Sequence, residues 1–103
     1  MTMLAAPLTS PAVVVVDVVG ELDLSTVARV RETLEDALAA RPEQLVVDLG
    51  ACPFVDASAL TMLLEAHRQT CRSGRIFTLR GCSPRVLRLL SLTGLRRVFD
   101  LAN

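Results

Sequence analysis

Residues 45–64 read LVVDLGACPFVDASALTMLL, and the rest of the chain is organised around them. Leu45 to Leu49 is a short, nearly continuous apolar run, which predicts a buried strand. Gly50 and Pro53 mark a turn. Asp56 opens a helix, because its carboxylate can accept from the free backbone N–H groups of the first turn. Ala57 and Ser58 then fall in that turn, at the positive end of the helix dipole. Strand, turn and capped helix in this order predict a parallel βα unit, and α/β sheets keep their functional surface at the carboxyl ends of the strands. An ordinary strand–turn–helix with an acidic cap has the same outline, so this stretch alone predicts a fold and not a chemistry.

Upstream, Val13–Val19 (VVVVDVV) is β-branched except at Asp17 and too short for a helix, which predicts a strand. Its apolarity predicts burial on both faces, with Asp17 pointing to an edge. Gly20 breaks the strand, and Glu21–Thr26 leads into a helix. Ser25 is the leading cap, with Asp23 and Thr26 as alternatives. Val27, Val30, Leu34, Ala37 and Leu38 share one helical face, with the charged residues mainly off it. The helix ends before Pro42, which disfavours helical geometry in the residue preceding it. Residues 1–12 hold Pro7 and Pro11 and predict an irregular segment or a short edge strand.

Downstream, the helix opened by Asp56 places Leu60, Leu63, Leu64, His67 and Cys71 on one face. Ala59, Met62 and Ala66 form a second, small-residue face. Met62 reads either as core or as a soft, exposed partner contact. Ser73-Gly74 closes this helix, and Ile76–Leu79 is the next strand. Ser83 caps a third helix with Pro84 at its first position, and Gly94 stops it. Val98–Leu101 is a short final strand. The order β-α-β-α-β-α-β requires helical crossovers. This order predicts one α/β domain over residues 1–103, with a mostly parallel sheet of four to five strands and helices mainly on one face.

Composition narrows the function. A chain of 103 residues supports one core. Eleven basic and eleven acidic residues cancel, which argues against nucleic-acid binding, and the absence of Trp and Tyr removes stacking platforms. The charges are unevenly placed. Residues 1–56 hold three Arg and nine acidic side chains, residues 57–103 eight Arg and two acidic, a split that can orient a charged partner. Cys52, Cys71 and Cys82 are odd in number without CxxC spacing. They predict reduced, mostly buried thiols and neither a disulfide frame nor a zinc site. No apolar run reaches a membrane span and no basic leader precedes one, so a cytoplasmic protein without membrane insertion is expected. Asp23, Asp48 and Asp56 have no histidine to complete a metal site, and no cofactor is expected. No phosphate loop or nucleophile motif occurs. His67 reads as a boundary or capping residue, not a general base, and the chain as a non-enzyme.

Three segments match one family in order and spacing: GELDLSTV (Gly20–Val27), LVVDLGACPFVDASAL (Leu45–Leu60) and SPRVLRLLSLTGL (Ser83–Leu95). In these the chain resembles STAS domains, and among them the bacterial anti-sigma factor antagonists. The resemblance implies a STAS-type mixed, mostly parallel sheet and a partner-switching role. An antagonist of this kind binds an anti-sigma factor, itself a GHKL-type serine kinase, and so frees a sigma factor. The kinase phosphorylates a serine at the start of the second helix, the complex dissociates, and a phosphatase resets the cycle. The surface expected to meet the partner joins Asp23 and Ser25 with Asp56, Ala57, Ser58, Ala59 and Met62.

One departure matters. The family carries Asp-Ser-Ser/Thr-Gly with the first serine phosphorylated, whereas this chain carries Asp56-Ala57-Ser58-Ala59. The acceptor position is Ala57, and only Ser58 keeps a hydroxyl. Either Ser58 is the phosphoacceptor, or the protein binds its partner without a phosphoswitch. One step along a helix turns a side chain by about 100°, which favours the second. The alternative function within the fold is a non-catalytic STAS subunit of a larger assembly, such as a lipid-transport complex or a stressosome-like particle.

Overall fold

A run of β-branched residues favours a pleated, half-buried strand, and the apolar runs become the strands of a single parallel sheet. The computed structural model describes residues 11–103. Strand β1 spans Val13–Val19, β2 Gln44–Ala51, β3 Ile76–Arg80 and β4 Asp100–Ala102. They lie in the order β1-β2-β3-β4, every pair parallel. Helices α1 (Val27–Ala39), α2 (Ala57–Arg72) and α3 (Pro84–Leu92) form the crossovers. Parallel crossovers are right-handed, so strands laid down in sequence order place all three helices on one face, with α2 between α1 and α3. Residues 1–10 of the expected N-terminal segment lie outside the described residues. Its last two belong to the sheet margin, where Pro11 and Ala12 carbonyls accept from Glu43 N (3.2 Å) and Gln44 N (3.0 Å).

The register shows which face the core occupies. Val14, Leu45 and Phe77 align across the sheet, as do Val16, Val47, Leu79 and Leu101. These rows, with Val18 and Leu49, pack toward the helices. On the opposite face Val13, Val15, Asp17, Val19 and Ile76 are exposed. The expectation that both faces of β1 are covered is therefore corrected. Among the described residues β1 is an edge strand, and strands alternate their side chains between faces, so only its even-numbered valines reach the core. The face opposite the helices also carries a polar ladder, although Val46 and Thr78 on its inner strands are buried. Gln44 Nε2 donates to Thr78 Oγ1 (2.9 Å), Thr78 Oγ1 to Asp100 Oδ2 (2.6 Å), and Arg80 Nε pairs with Asp48 Oδ2 (2.9 Å).

Helix α2 is closed on two sides. Leu60 and Leu63 belong to the core, while Met62 and Ala66 line a crevice with Leu34 and Leu38 of α1. Leu34 and Leu63 are 1% and 0% exposed, so cutting either to alanine removes about 2–5 kcal/mol of stability. His67 stands edge-on to Phe77 and Phe99, with ring centroids 5.8 and 5.4 Å away, a packing role at the core boundary. Ser83 Oγ accepts from Val86 N (3.2 Å) and Pro84 opens α3, as the sequence predicts. The last strand begins at Asp100 and not at Val98, because the Val98 and Phe99 amides turn back to Leu95 O. The thiols are all free, but only Cys52 is fully buried. Cys82 is half-buried and Cys71 is exposed, so burial of most of them is corrected. Cys71 lies near the exposed C-terminal end of α2 and escapes the core. Among the described residues no helix is long and apolar enough to cross a membrane.

Candidate functional site

An irregularity at the ends of β1 and β2 brings two loops together. Asp17 pairs with Asp48, but Val19 pairs with Ala51, so β2 carries one extra residue over this step. Such a bulge bends its strand and re-aims the chain beyond it. Gly20, at φ 86°, then turns the backbone in a conformation that suits glycine. The pairing resumes past this turn: Leu22 N donates to Phe54 O (2.9 Å) and Asp56 N to Leu22 O (3.1 Å). Leu22 and Val55 are buried there and anchor the contact. The loop before α1 and the loop before α2 therefore run side by side. Asp23 and Asp56, far apart in sequence, sit on one surface.

Each loop is built on an aspartate and the serine two residues on. Asp23 Oδ1 accepts from Ser25 N (2.9 Å) and Ser25 Oγ (2.6 Å). Asp23 N donates to Thr26 Oγ1 (3.0 Å), and Val27 N to Asp23 O (2.8 Å). The cap position of α1 is Thr26, with no side-chain bond into the helix. Ser25 is thus not the cap, a correction with a clear cause: Asp23 draws both Ser25 donors back into the loop. Asp56 is the cap of α2. Its Oδ1 accepts from Ala59 N (2.9 Å) and Ser58 Oγ (2.6 Å), and its Oδ2 from Leu24 N (3.0 Å) in the other loop.

Hydrogen bonds to the charged form hold both carboxyls below the ordinary carboxylate range. For Asp56 the Ser58 hydroxyl is the main cause, followed by the Ala59 amide. For Asp23 it is the Ser25 hydroxyl. Asp48 is lowered by the Gly50 amide and then by Arg80, a separate cluster on the sheet face opposite the helices. Among the described residues no three His, Cys, Asp or Glu side chains converge as a metal site would require.

The site has a family context. Residues 6–103 match the family described as STAS domain. The chain belongs to the STAS domain family. This STAS domain is 26% identical over 102 residues to a STAS-domain containing protein of Pseudomonas aeruginosa, covering 99% of this chain and 100% of that protein. It is 30% identical over 90 residues to the anti-sigma F factor antagonist of Paenibacillus polymyxa, with 86% and 77% of the two chains covered. The crystal structure of an anti-sigma factor antagonist from Mycobacterium paratuberculosis superposes with a TM-score of 0.80 at 30% identity, over 88% of this chain and 77% of that one.

Within the STAS domain the expected surface residues divide. Asp23, Ser25, Asp56, Ala57 and Ser58 are brought together; Ala57 and Ser25 are exposed, and Asp23, Asp56 and Ser58 are half-buried. Ala59 and Met62, at 0% and 1% exposure, are not on the surface. That corrects their assignment as contact residues: α2 packs against both the sheet and α1, which closes the face they share. Sequence reading also missed two side chains. Leu24 is 76% exposed between the two aspartates, and Phe54 lies under the Arg85 guanidinium at 5.3 Å. A second leucine after Leu22 in an otherwise polar turn was the available signal for the first. Nothing local announces the second.

Proposed function

We propose that this STAS domain is an anti-sigma factor antagonist. It binds an anti-sigma factor of the GHKL serine-kinase type and so releases a sigma factor, without catalysing a reaction itself. It does this, in our reading, without the usual phosphoswitch. The observation that carries the second part is the Ser58 hydroxyl, which donates to Asp56 Oδ1 at 2.6 Å beside the exposed methyl of Ala57. The position that faces solvent has no hydroxyl, and the hydroxyl that remains is held within the cap. A phosphate on Ser58 would set about −1.5 to −2 charges against the Asp56 carboxylate and break the bond that fixes it. Control then rests on how much antagonist is present, with no need for a phosphatase. Asp23, Ser25, Asp56, Ala57 and Ser58 form the contact surface in this reading, with Leu24 as its exposed apolar centre.

Intact-mass measurement after incubation with the GHKL-type kinases encoded in the same genome and ATP tests the proposal. A kinase that binds the wild-type chain should add no phosphate to it. The same kinase should add one phosphate to Ala57→Ser. A phosphate on the wild-type protein that disappears in Ser58→Ala would make Ser58 a relocated switch and overturn the second part. Binding to none of these kinases would overturn the antagonist reading and favour an assembly subunit. A charge at the exposed first helical position offers an orthogonal check. Ala57→Asp should leave the fold intact, since acidic groups are favourable there, and should abolish binding.

A further inference from the structure

Beside the two loops lies a groove between the β2–α2 loop and α3, with a volume of about 170 Å³. Phe54, Val55, Val86, Leu89 and Leu92 form its apolar wall, and Arg85 and Arg88 flank it. Arg85, Arg88, Leu89 and Leu92 follow the spacing that puts residues on one helical face. We propose that the anti-sigma factor seats one apolar side chain in this groove and places carboxylates against Arg85 and Arg88. The proposal rests on the antagonist reading above and names the partner's chemistry.

Size, charge and continuity point to this occupant. The groove is smaller than the roughly 300–1,000 Å³ of small-molecule pockets and suits a single side chain. Leu92 is 77% exposed, an apolar contact on the surface of the free chain. Among the described residues the ion pair is that of Arg80 with Asp48, so neither groove arginine has a carboxylate partner. Helix α3 itself contains no acidic residue. Helix α1 carries Glu32, Glu35 and Asp36 beside Arg29 and Arg31, so of these two helices only α3 bears charge of one sign. The groove is also continuous with the proposed contact surface, because its wall residue Val55 directly precedes Asp56. At that end Asp23 takes its side-chain hydrogen bonds on Oδ1, and its Oδ2 accepts none among the described residues. One surface is therefore acidic at Asp23, apolar at Leu24 and Phe54, and basic at Arg85 and Arg88. A partner with the complementary order can dock in one direction only, which is what opposed charges at an interface select.

The test uses the full chain and each purified anti-sigma factor of the same genome, with affinity and rates measured at two salt concentrations. For the factor that binds the wild type, Arg85→Glu with Arg88→Glu should weaken binding about tenfold or more, chiefly through slower association, and should flatten its salt dependence. Leu92→Ser should weaken it through faster dissociation. All these side chains are exposed, and circular dichroism checks that the variants fold. If a factor binds the wild type and both variants equally well, the groove proposal is overturned and the antagonist reading stands. If no factor binds the wild type, the antagonist reading fails and the groove proposal fails with it. Light scattering that finds a dimer abolished by Leu92→Ser would assign the groove to a second copy, which also overturns the proposal.

Discussion

The two loops at the carboxyl ends of β1 and β2 are variations on one local design. Each has an aspartate whose Oδ1 receives the hydroxyl of the serine two residues on, at 2.6 Å in both. They differ in what the second oxygen does. Asp56 Oδ2 takes the Leu24 amide across a separation of 32 residues, whereas Asp23 Oδ2 has no donor among the described residues. Asp56 also caps a helix, and Asp23 does not. The same local geometry thus serves two ends. One aspartate is committed to holding the two loops together, and the other keeps a carboxylate oxygen without a donor among the described residues. In the contact surface proposed above, this separation would let Asp23 vary without loss of the scaffold.

Removing each aspartate should expose the difference most strongly. Asp56→Ala takes away the α2 cap and the bond to Leu24 in one step. The expected result is a lower Tm, faster hydrogen exchange at the Leu24 amide, and anti-sigma binding weakened about tenfold or more, because both loops lose their relative placement. Asp23→Ala should weaken binding to a similar degree through loss of the free carboxylate. Its Tm should fall less than that of Asp56→Ala, because the bonds lost stay within one turn, and the Leu24 amide should keep more of its protection through Asp56. Equal melting and equal exchange in the two variants would mean that the latch is not the difference between them.

How far such a distinction can be read from sequence depends on distance along the chain. The Asp56 cap is legible because its partner Ala59 lies three residues on, within the reach of a capping pattern. The latch to Leu24 has no local signature, since it depends on a bulge in β2 and on the pairing of Leu22 with Val55. In the first loop Asp23, Ser25 and Thr26 are competing caps by composition. The loop uses all three in one hydrogen-bonded turn, and composition cannot rank them. Met62 is open to two readings for a similar reason. A helix covered on two sides has no clean polar face, so its period does not show where the surface begins. The valine run of β1 misleads in the opposite direction, because a strand at an edge can expose one row of valines and still fold. The elements themselves are set by short-range signals, such as Ser83-Pro84 before α3 and Gly74 and Gly94 after α2 and α3, both of which adopt positive φ.

The smaller effects belong to the serines. Ser25→Ala and Ser58→Ala each remove a 2.6 Å bond to an aspartate, but the second loop retains the Ala59 and Leu24 amides as donors to Asp56. Ser25→Ala leaves Asp23 Oδ1 with the backbone amide at position 25 and the more distant Thr26 hydroxyl (3.3 Å). The Asp23 turn should therefore loosen more than the Asp56 turn. Amide exchange at position 25 and at Ala59 in the paired variants measures this directly, and a larger change at Ala59 would reverse the ranking.

The pH dependence of stability sharpens the same comparison at its lowest amplitude. Asp23 and Asp56 are both held below their ordinary value of 3.8 in the folded chain. The unfolded chain consequently takes up protons first as the pH falls. The stability these groups contribute is complete above the unfolded value and is lost as the pH drops through the lower, folded ones. Since the Ser58 hydroxyl is the main cause of the Asp56 shift, Ser58→Ala should move its carboxyl back toward the ordinary value and make the acid limb of the stability curve shallower. Ser25→Ala should do the same for Asp23. Carboxyl titration by NMR in the two variants separates the sites, because each should move its own aspartate and leave the other in place. Movement of both by either substitution would show that the two turns titrate as one unit. The bond from Leu24 to Asp56 would then couple the free carboxylate to the latch, and Asp23 could not be regarded as independent of the scaffold.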